Sequence, residues 1–148
     1  MKRAKNWIGT CQSDGSHVEC QEAHRDRQTK DTLPRRLLHV GLSTSQPRIA
    51  EELEPVSYCA LSYCWGNKNL FITTQGHLSQ NMGGISMDSI PAVMRDAIFA
   101  ARSLEFQYIW IDALCIVQDD DKDWAYEAAI MDAVFSREVE TFAAESRE

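Results

Sequence analysis

The sequence predicts an α/β fold with a small, mostly parallel sheet flanked by helices in three layers. Two short apolar runs, residues 58–66 and 108–117, are bounded by turn residues and are typical of strands buried on both faces of a sheet. The stretches that follow them, residues 90–104 and 124–136, repeat their apolar residues at three and four, as helices do. With a third strand at residues 139–144, this order favours parallel pairing and right-handed crossovers.

Length and charge set limits on the function. The 148 residues suffice for one domain with a modest core. A formal net charge of -7 at pH 7 argues against nucleic-acid binding, because proteins that bind phosphate backbones usually present a basic face. No apolar run reaches the length of a membrane span and no signal peptide is evident, so we expect a cytoplasmic protein. Its 5 cysteines are then expected to be reduced thiols.

Residues 1–32 are polar and predict a small N-terminal cap in front of a domain at residues 33–148, whose core is residues 58–144. Four side chains of the cap are of the types that zinc prefers, but their spacing is unlike that of zinc modules. Zinc binding is therefore a disfavoured alternative for this set. The four residues are Cys11, His17, Cys20 and His24.

Residues 33–41 predict a short edge strand that is entered through Pro34. We expect its two arginines, Arg35 and Arg36, to lie on a solvated surface, because basic and acidic residues alternate in this part of the chain. The polar residues 42–57 then predict a mobile loop.

Residues 58–66 predict a central strand that ends in a glycine turn. Ser62, Trp65 and Gly66 fall at or near the carboxyl end of this strand, which is the edge where open parallel sheets bind ligands. In the insertion that follows, residues 71–74 predict an additional strand.

The helix at residues 90–104 is expected to begin with Ser89 as its capping residue and Pro91 in its first turn, where the missing amide costs nothing. Its apolar side chains form one continuous stripe that we interpret as core. The stripe consists of Ile90, Val93, Met94, Ala97, Ile98, Ala101 and Leu104.

Asp112 interrupts the densest apolar run of the chain. An unpaired carboxylate inside a buried strand would be too costly, so we place Asp112 at the carboxyl end of the strand. The acidic residues 119–123 that follow are expected to cap the next helix and to favour its dipole. Binding of a hard cation by these carboxylates is the alternative.

Glu127 lies inside the apolar stripe of the second helix, where a carboxylate is unexpected. Burial would raise its pKa towards the range useful for general acid or base catalysis, so Glu127 is the best single catalytic candidate. The alternative is a structural glutamate that accepts a hydrogen bond from a backbone amide or an arginine. The stripe consists of Trp124, Ala128, Met131, Val134 and Phe135.

Four segments of the chain, residues 7–20, 33–38, 60–66 and 90–115, follow one another in a specific order and spacing. Together they resemble the fungal heterokaryon-incompatibility (HET) domain, whose central signature is similar to Trp-Ile-Asp-Ala-Leu-Cys in the last segment. The resemblance implies an effector or signalling role in nonself recognition and programmed cell death, through self-association or protein partners. Members of this family usually run on past the third strand, so we expect this chain to be incomplete at its carboxyl end.

The HET domain is also similar to the Toll/interleukin-receptor (TIR) fold, a flavodoxin-like arrangement, and some TIR domains cleave NAD through a glutamate. This analogy makes NAD a candidate substrate. Glu127 would then stabilise the cationic sugar-like transition state or activate water, while Asp112 would hold a ribose hydroxyl. Trp65 would stack on a ring, with Ser62 and Gly66 as further binding residues. The hypothesis requires Glu127 and Asp112 to converge on one pocket.

Overall fold

The computed structural model describes residues 33–41, 44–51, 54–65, 71–137 and 140–144. Within these ranges the chain forms one sheet of five strands, four α-helices and a 3-10 turn at Met87–Ser89. The strands are β1 (Arg36–His39), β2 (Arg48–Glu51), β3 (Cys59–Tyr63), β4 (Tyr108–Ile111) and β5 (Glu140–Ala144). The helices are α1 (Gln75–Gly83), α2 (Ala92–Ser103), α3 (Asp112–Cys115) and α4 (Asp121–Arg137).

The sheet is mixed, with the strand order β2-β1-β4-β3-β5. Strands β4 and β5 both pair with β3 in parallel, whereas β1 pairs with β2 and β4 antiparallel. The α/β class is confirmed, but a mostly parallel sheet is not supported. The connection between β1 and β2, residues 40–47, is too short for the crossover that a parallel pair needs, so these two strands form a hairpin.

The hairpin also overturns two predictions for the first part of the domain. Strand β1 is not an edge strand, because β2 covers its outer side and β4 its inner side. Residues 42–57 do not form only a loop, since β2 lies within them. Ile49 of β2 is fully buried in the apolar cluster beneath α2, and the antiparallel pairing with β1 holds the rest of this polar strand in the sheet.

Side chains of the sheet alternate between two apolar clusters, one on each face. Along β4, Ile109 and Ile111 belong to the cluster beneath α2, whereas Trp110 belongs to the cluster beneath α4. Strand β3 leads to β4 through α2, and β4 leads back past β3 to β5 through α4. Crossovers of one hand that run in opposite directions along a sheet lie on opposite faces, which explains the helix-sheet-helix layering.

Helix α2 confirms the predicted stripe at its centre and corrects its beginning. Met94 and Ile98 are buried against the sheet, but the residue that caps the helix is Pro91, without a side-chain hydrogen bond. Ser89 instead ends the 3-10 turn, and its hydroxyl group donates to the carbonyl oxygen of Ser86 at 2.7 Å.

The insertion before α2 contains a helix, α1, that the sequence did not predict. Its apolar pattern is weak and none of its residues is buried, so periodicity could not reveal it. The strand expected at residues 71–74 reduces to one parallel bridge between Thr73 and Val117. None of the described helices is both long and apolar enough to cross a membrane.

Helix α4 begins three residues earlier than predicted, at Asp121, and its predicted stripe is confirmed at Met131, Val134 and Phe135, which belong to or pack against the apolar cluster on this face. Trp124 is 55% exposed, so its assignment to the buried stripe is wrong. The inner face is centred instead on Glu127 and Val134, which are fully buried. As expected for an acidic cap, the carboxylate of Asp120 accepts hydrogen bonds from the backbone amides of Lys122 and Asp123.

The predicted N-terminal cap at residues 1–32, with its four candidate zinc ligands, lies outside the described residues, and so does Gly66. Within the described residues, no group of three or more histidine, cysteine, aspartate or glutamate side chains could hold a metal ion.

The two faces of α2 differ in their contribution to stability. We expect Met94→Ala to lower the free energy of unfolding by about 2 to 4 kcal/mol, because the side chain is 2% exposed and its loss leaves a cavity. Phe99 on the same helix is 47% exposed, so Phe99→Ala should change this energy by less than about 1 kcal/mol. Urea denaturation of both variants measures the difference, and equal losses would contradict this orientation of the helix.

Candidate functional site

Asp112 lies immediately after β4, at the sheet edge where the parallel strands β3 and β4 both end. Its two carboxylate oxygens are both occupied. The indole N–H of Trp65 donates to Oδ2 at 2.8 Å, and the backbone amide of Ala113 donates to Oδ1 at 2.7 Å. The expected position of Asp112 at the carboxyl end of the strand is confirmed, and the structure brings it together with Trp65.

Partial burial shifts the pKa values of the side chains at this edge of the sheet. Burial raises the pKa of the Asp112 carboxyl group, although the hydrogen bonds from Ala113 and Trp65 oppose the rise. Burial also raises the pKa of Tyr63, and the negative charge of Asp112 adds to this effect. The three side chains of Tyr63, Trp65 and Asp112 therefore form a half-buried polar and aromatic group, which we call the edge cluster.

Ser62 does not join the edge cluster. Its neighbours Leu61 and Tyr63 belong to the apolar cluster beneath α2, and side chains alternate along a strand, so Ser62 faces the opposite side of the sheet. It is exposed there. Of the three residues predicted to bind a ligand, the structure therefore places only Trp65 beside Asp112, while Gly66 lies outside the described residues.

Glu127 is fully buried beneath α4, as its position in the apolar stripe predicted. The backbone amide of Arg35 donates to its Oε1 at 2.9 Å, whereas Oε2 has no hydrogen-bond partner among the described residues. Burial raises the pKa of Glu127 to about 7; the Arg35 amide and the charge of Arg36 lower it, and the charge of Asp123 raises it further. The backbone amide that the structural alternative requires as a donor is therefore present at one of the two oxygens.

Beside Glu127 lies a buried ion pair between Arg36 and Asp123. Arg36 also donates from Nε to the carbonyl oxygen of Cys115 at 2.8 Å and from Nη1 to the carboxylate of Glu51 at 3.1 Å. The backbone amide of Val117 donates to Asp123 at 2.8 Å. Arg36 is only 5% exposed, so the prediction of a solvated surface is wrong for this residue.

Each residue of this ion pair favours the charged form of the other. Burial alone would raise the pKa of Asp123, but the hydrogen bonds from Arg36 and Val117 outweigh it and hold the pKa below its usual value. Burial alone would lower the pKa of Arg36, and its bonds to Asp123 and Glu51 reverse this effect. The stabilisation from Asp123 is therefore complete above its ordinary pKa of 3.8 and is lost as the pH falls through its lower folded pKa.

The two predicted catalytic carboxylates have different hydrogen-bond partners in the described part of the chain. The side chain of Asp112 accepts hydrogen bonds from Trp65 and from the backbone amide of Ala113, whereas Glu127 accepts one from the backbone amide of Arg35. The structure therefore separates a half-buried acid at the sheet edge from a fully buried acid beneath α4.

Sequence reasoning missed Arg36 and Asp123, which hold this region together. Asp123 was assigned to an acidic cluster at the start of a helix, where carboxylates usually face solvent. One local signal was available, because Asp123 precedes Glu127 by one helical turn and therefore shares its face. The partner Arg36 is 87 residues away, and no local pattern indicates such a contact.

Comparisons with known proteins agree with the sequence resemblance. The sequence model of the family described as "Heterokaryon incompatibility protein (HET)" matches residues 58–148. A relative from Neurospora crassa, "Heterokaryon incompatibility protein 6, OR allele", is 30% identical over 90 residues, which cover 55% of this chain. The chain spans 13% of that relative's length. No solved structure matches this chain.

Loss of Asp123 would leave the buried guanidinium group of Arg36 without its closest partner. We expect Asp123→Ala to lower the free energy of unfolding by about 3 to 5 kcal/mol, the range for breaking a buried ion pair. Asp132 lies on the exposed side of the same helix, so Asp132→Ala should change this energy by less than about 0.5 kcal/mol. Equal denaturation midpoints for the two variants would show that the ion pair does not stabilise the fold.

The indole N–H of Trp65 stabilises the charged form of Asp112. Trp65→Phe removes this donor and keeps an aromatic ring, so the pKa of Asp112 should rise further above its ordinary value. Titration of the Asp112 side-chain carbon by NMR measures the change. Trp124→Phe, which alters an exposed indole, is the matched control and should leave the titration unchanged.

Proposed function

This chain belongs to the heterokaryon-incompatibility (HET) family, and we propose that it is an effector or signalling module in fungal nonself recognition. In this proposal the domain contributes to a cell-death response in the cytoplasm by binding protein partners or further copies of itself. Membership of the family rests on the match to residues 58–148 and supports the proposal. The relative that is named for heterokaryon incompatibility supports it as well.

The observation that carries this proposal is that the buried polar groups are bound to other groups of the protein. Arg36 and Asp123 form an ion pair, and Asp123 and Glu127 each accept a hydrogen bond from a backbone amide. Each of the three residues is 5% exposed or less. In this arrangement they hold helix α4 to the sheet and are not accessible to a substrate. Large apolar side chains are exposed instead at Phe99 and Trp124, on the two helices that cover the sheet, and such side chains favour protein contacts.

Hydrolysis of NAD by a TIR-like site is the alternative proposal. The edge cluster supports it, because Trp65 and Asp112 lie together at the sheet edge where ligands bind in open α/β folds. The position of Glu127 opposes it, because the mechanism needs this carboxylate and Asp112 in one pocket and their contacts are separate. The binding module is therefore the function that the geometry favours.

Expression in a fungal host, with cell death and cellular NAD followed together, distinguishes the two proposals. At equal protein levels, we expect the wild-type chain to cause death while NAD stays constant. Glu127→Gln and Asp112→Asn keep the shape of each side chain and remove its charge, so both variants should still cause death. Asp123→Ala is expected to lose the effect, because it destabilises the fold.

Two outcomes would contradict the binding-module proposal. A fall in NAD that precedes death, and that either Glu127→Gln or Asp112→Asn abolishes, would establish an enzyme. Absence of death at a verified level of folded wild-type protein would show that this chain is not an effector by itself.

A further inference from the structure

Asp112 differs from the two acids beneath α4, because no positively charged side chain of the described residues pairs with it. Asp123 forms ion pairs with Arg35 and Arg36, and the positive charges of both arginines also favour the ionised form of Glu127. The hydrogen-bond donors to Asp112 are instead an indole and a backbone amide, which carry no charge. The edge cluster therefore holds a carboxylate whose charge no cation of the described chain balances.

The carboxylate of Asp112 can accept further hydrogen bonds. Each carboxylate oxygen accepts about two. Trp65 occupies one position on Oδ2 and the amide of Ala113 occupies one on Oδ1, and the residue is partly exposed to solvent. One position thus remains on each oxygen. Simultaneous donation to both oxygens is the geometry in which a guanidinium group binds a carboxylate.

Two aromatic side chains lie beside this carboxylate. The indole of Trp65 contacts Asp112 through its N–H group. Burial raises the pKa of Tyr63 and the charge of Asp112 adds to the rise, so these two groups are neighbours as well. Both aromatic residues are partly exposed. Aromatic faces attract cations, and a guanidinium group stacks on them well because it is planar and more weakly hydrated than an ammonium group.

We propose that the edge cluster binds an arginine side chain of a protein partner, whose guanidinium group donates to Asp112 and lies against Trp65 and Tyr63. The proposal rests on the proposed function, in which the domain binds protein partners, and it names the side chain that the partner contributes. The formal net charge of -7 at pH 7 favours the approach of a basic partner. Partial burial strengthens the ion pair, because charges attract each other more strongly where water is excluded.

The arginine site supplies one contact of an interface and not the whole of it. We expect this contact to contribute about tenfold to the affinity for the partner. Asp112→Asn keeps the size of the side chain and one acceptor oxygen, so it should weaken partner binding and still permit the death response. Failure of the cell-death assay and failure of the arginine site are therefore separate outcomes.

Binding of a small probe to the whole chain tests the site without the partner. The probe is the tripeptide acetyl-Gly-Arg-Gly-amide, and the reporter is the NMR signal of the Trp65 indole N–H, which donates to Asp112 and is assigned by its loss in Trp65→Phe. We expect a saturable shift of this signal. The same peptide with lysine should bind about threefold more weakly, because an ammonium group does not match the two oxygens. A peptide with citrulline, which is neutral and of similar shape, should bind at least about tenfold more weakly.

The variants separate the site from the overall charge of the chain. Asp112→Asn should weaken binding of the arginine peptide about tenfold. Asp132→Asn removes the same charge from the exposed side of α4 and should bind the peptide as the wild type does. Equal affinity of Asp112→Asn and the wild type would overturn the proposal.

A comparison within the wild-type chain gives a second test that no variant can compromise. Equal shifts of the Trp65 signal with the arginine and citrulline peptides would overturn the proposal, because charge would then play no part. Choline is a quaternary ammonium cation without N–H donors, so we expect it to bind more weakly than the arginine peptide. Choline binding of equal strength would assign the edge cluster to small quaternary cations and would overturn its assignment to arginine.

Discussion

The buried ion pair between Arg36 and Asp123 is the interaction on which the arrangement of this domain depends. Removing two charges from water costs several kcal/mol for each ion, and only close geometry with further hydrogen bonds compensates for this cost. Arg36 meets the requirement through Glu51 on the neighbouring strand and the carbonyl oxygen of Cys115. Asp123 meets it through the backbone amide of Val117. The pair therefore fixes β1, β2, the turn after α3 and the beginning of α4 relative to one another.

Glu127 depends on the same geometry without being part of the pair. It faces the sheet because Asp123, one turn earlier on α4, is held against Arg36. Its raised pKa then results from burial and, to a smaller extent, from the negative charge of Asp123, while the Arg35 amide and the positive charges of Arg36 and Arg35 oppose the rise. The same residues that stabilise the fold thus place a carboxyl group that titrates near neutral pH beneath a helix.

The edge cluster and the buried group of Arg36, Asp123 and Glu127 illustrate two ways in which one sheet can hold a carboxylate. Asp112 lies where β4 ends, so its oxygens are reached by an indole and by the first amide of α3, and the group stays partly open to solvent. Glu127 is enclosed between the helix and the sheet. The two acids therefore differ in their exposure and in the groups that donate hydrogen bonds to them.

Local sequence pattern is sufficient for the parts of the fold that depend on neighbouring residues. The apolar runs placed β3 and β4, the three-and-four periodicity placed α2 and most of α4, and Asp112 was assigned to the end of its strand because burial inside it would be too costly. Glu127 was recognised as buried because it interrupts an apolar stripe. These conclusions depend only on residues that are neighbours on one element.

Other features depend on contacts between residues that are far apart in the sequence. Local pattern predicts Arg36 to be a surface residue, because its partner Asp123 is 87 residues away in the sequence. Strand β2 has a single buried apolar residue, Ile49, and forms only because β1 offers it an edge. The separation of Asp112 from Glu127 likewise depends on which face of the sheet α4 covers, and this is fixed by the direction in which the chain crosses from β4 to β5. Long-range pairing, and not the residue types themselves, therefore determines the surroundings of each acid.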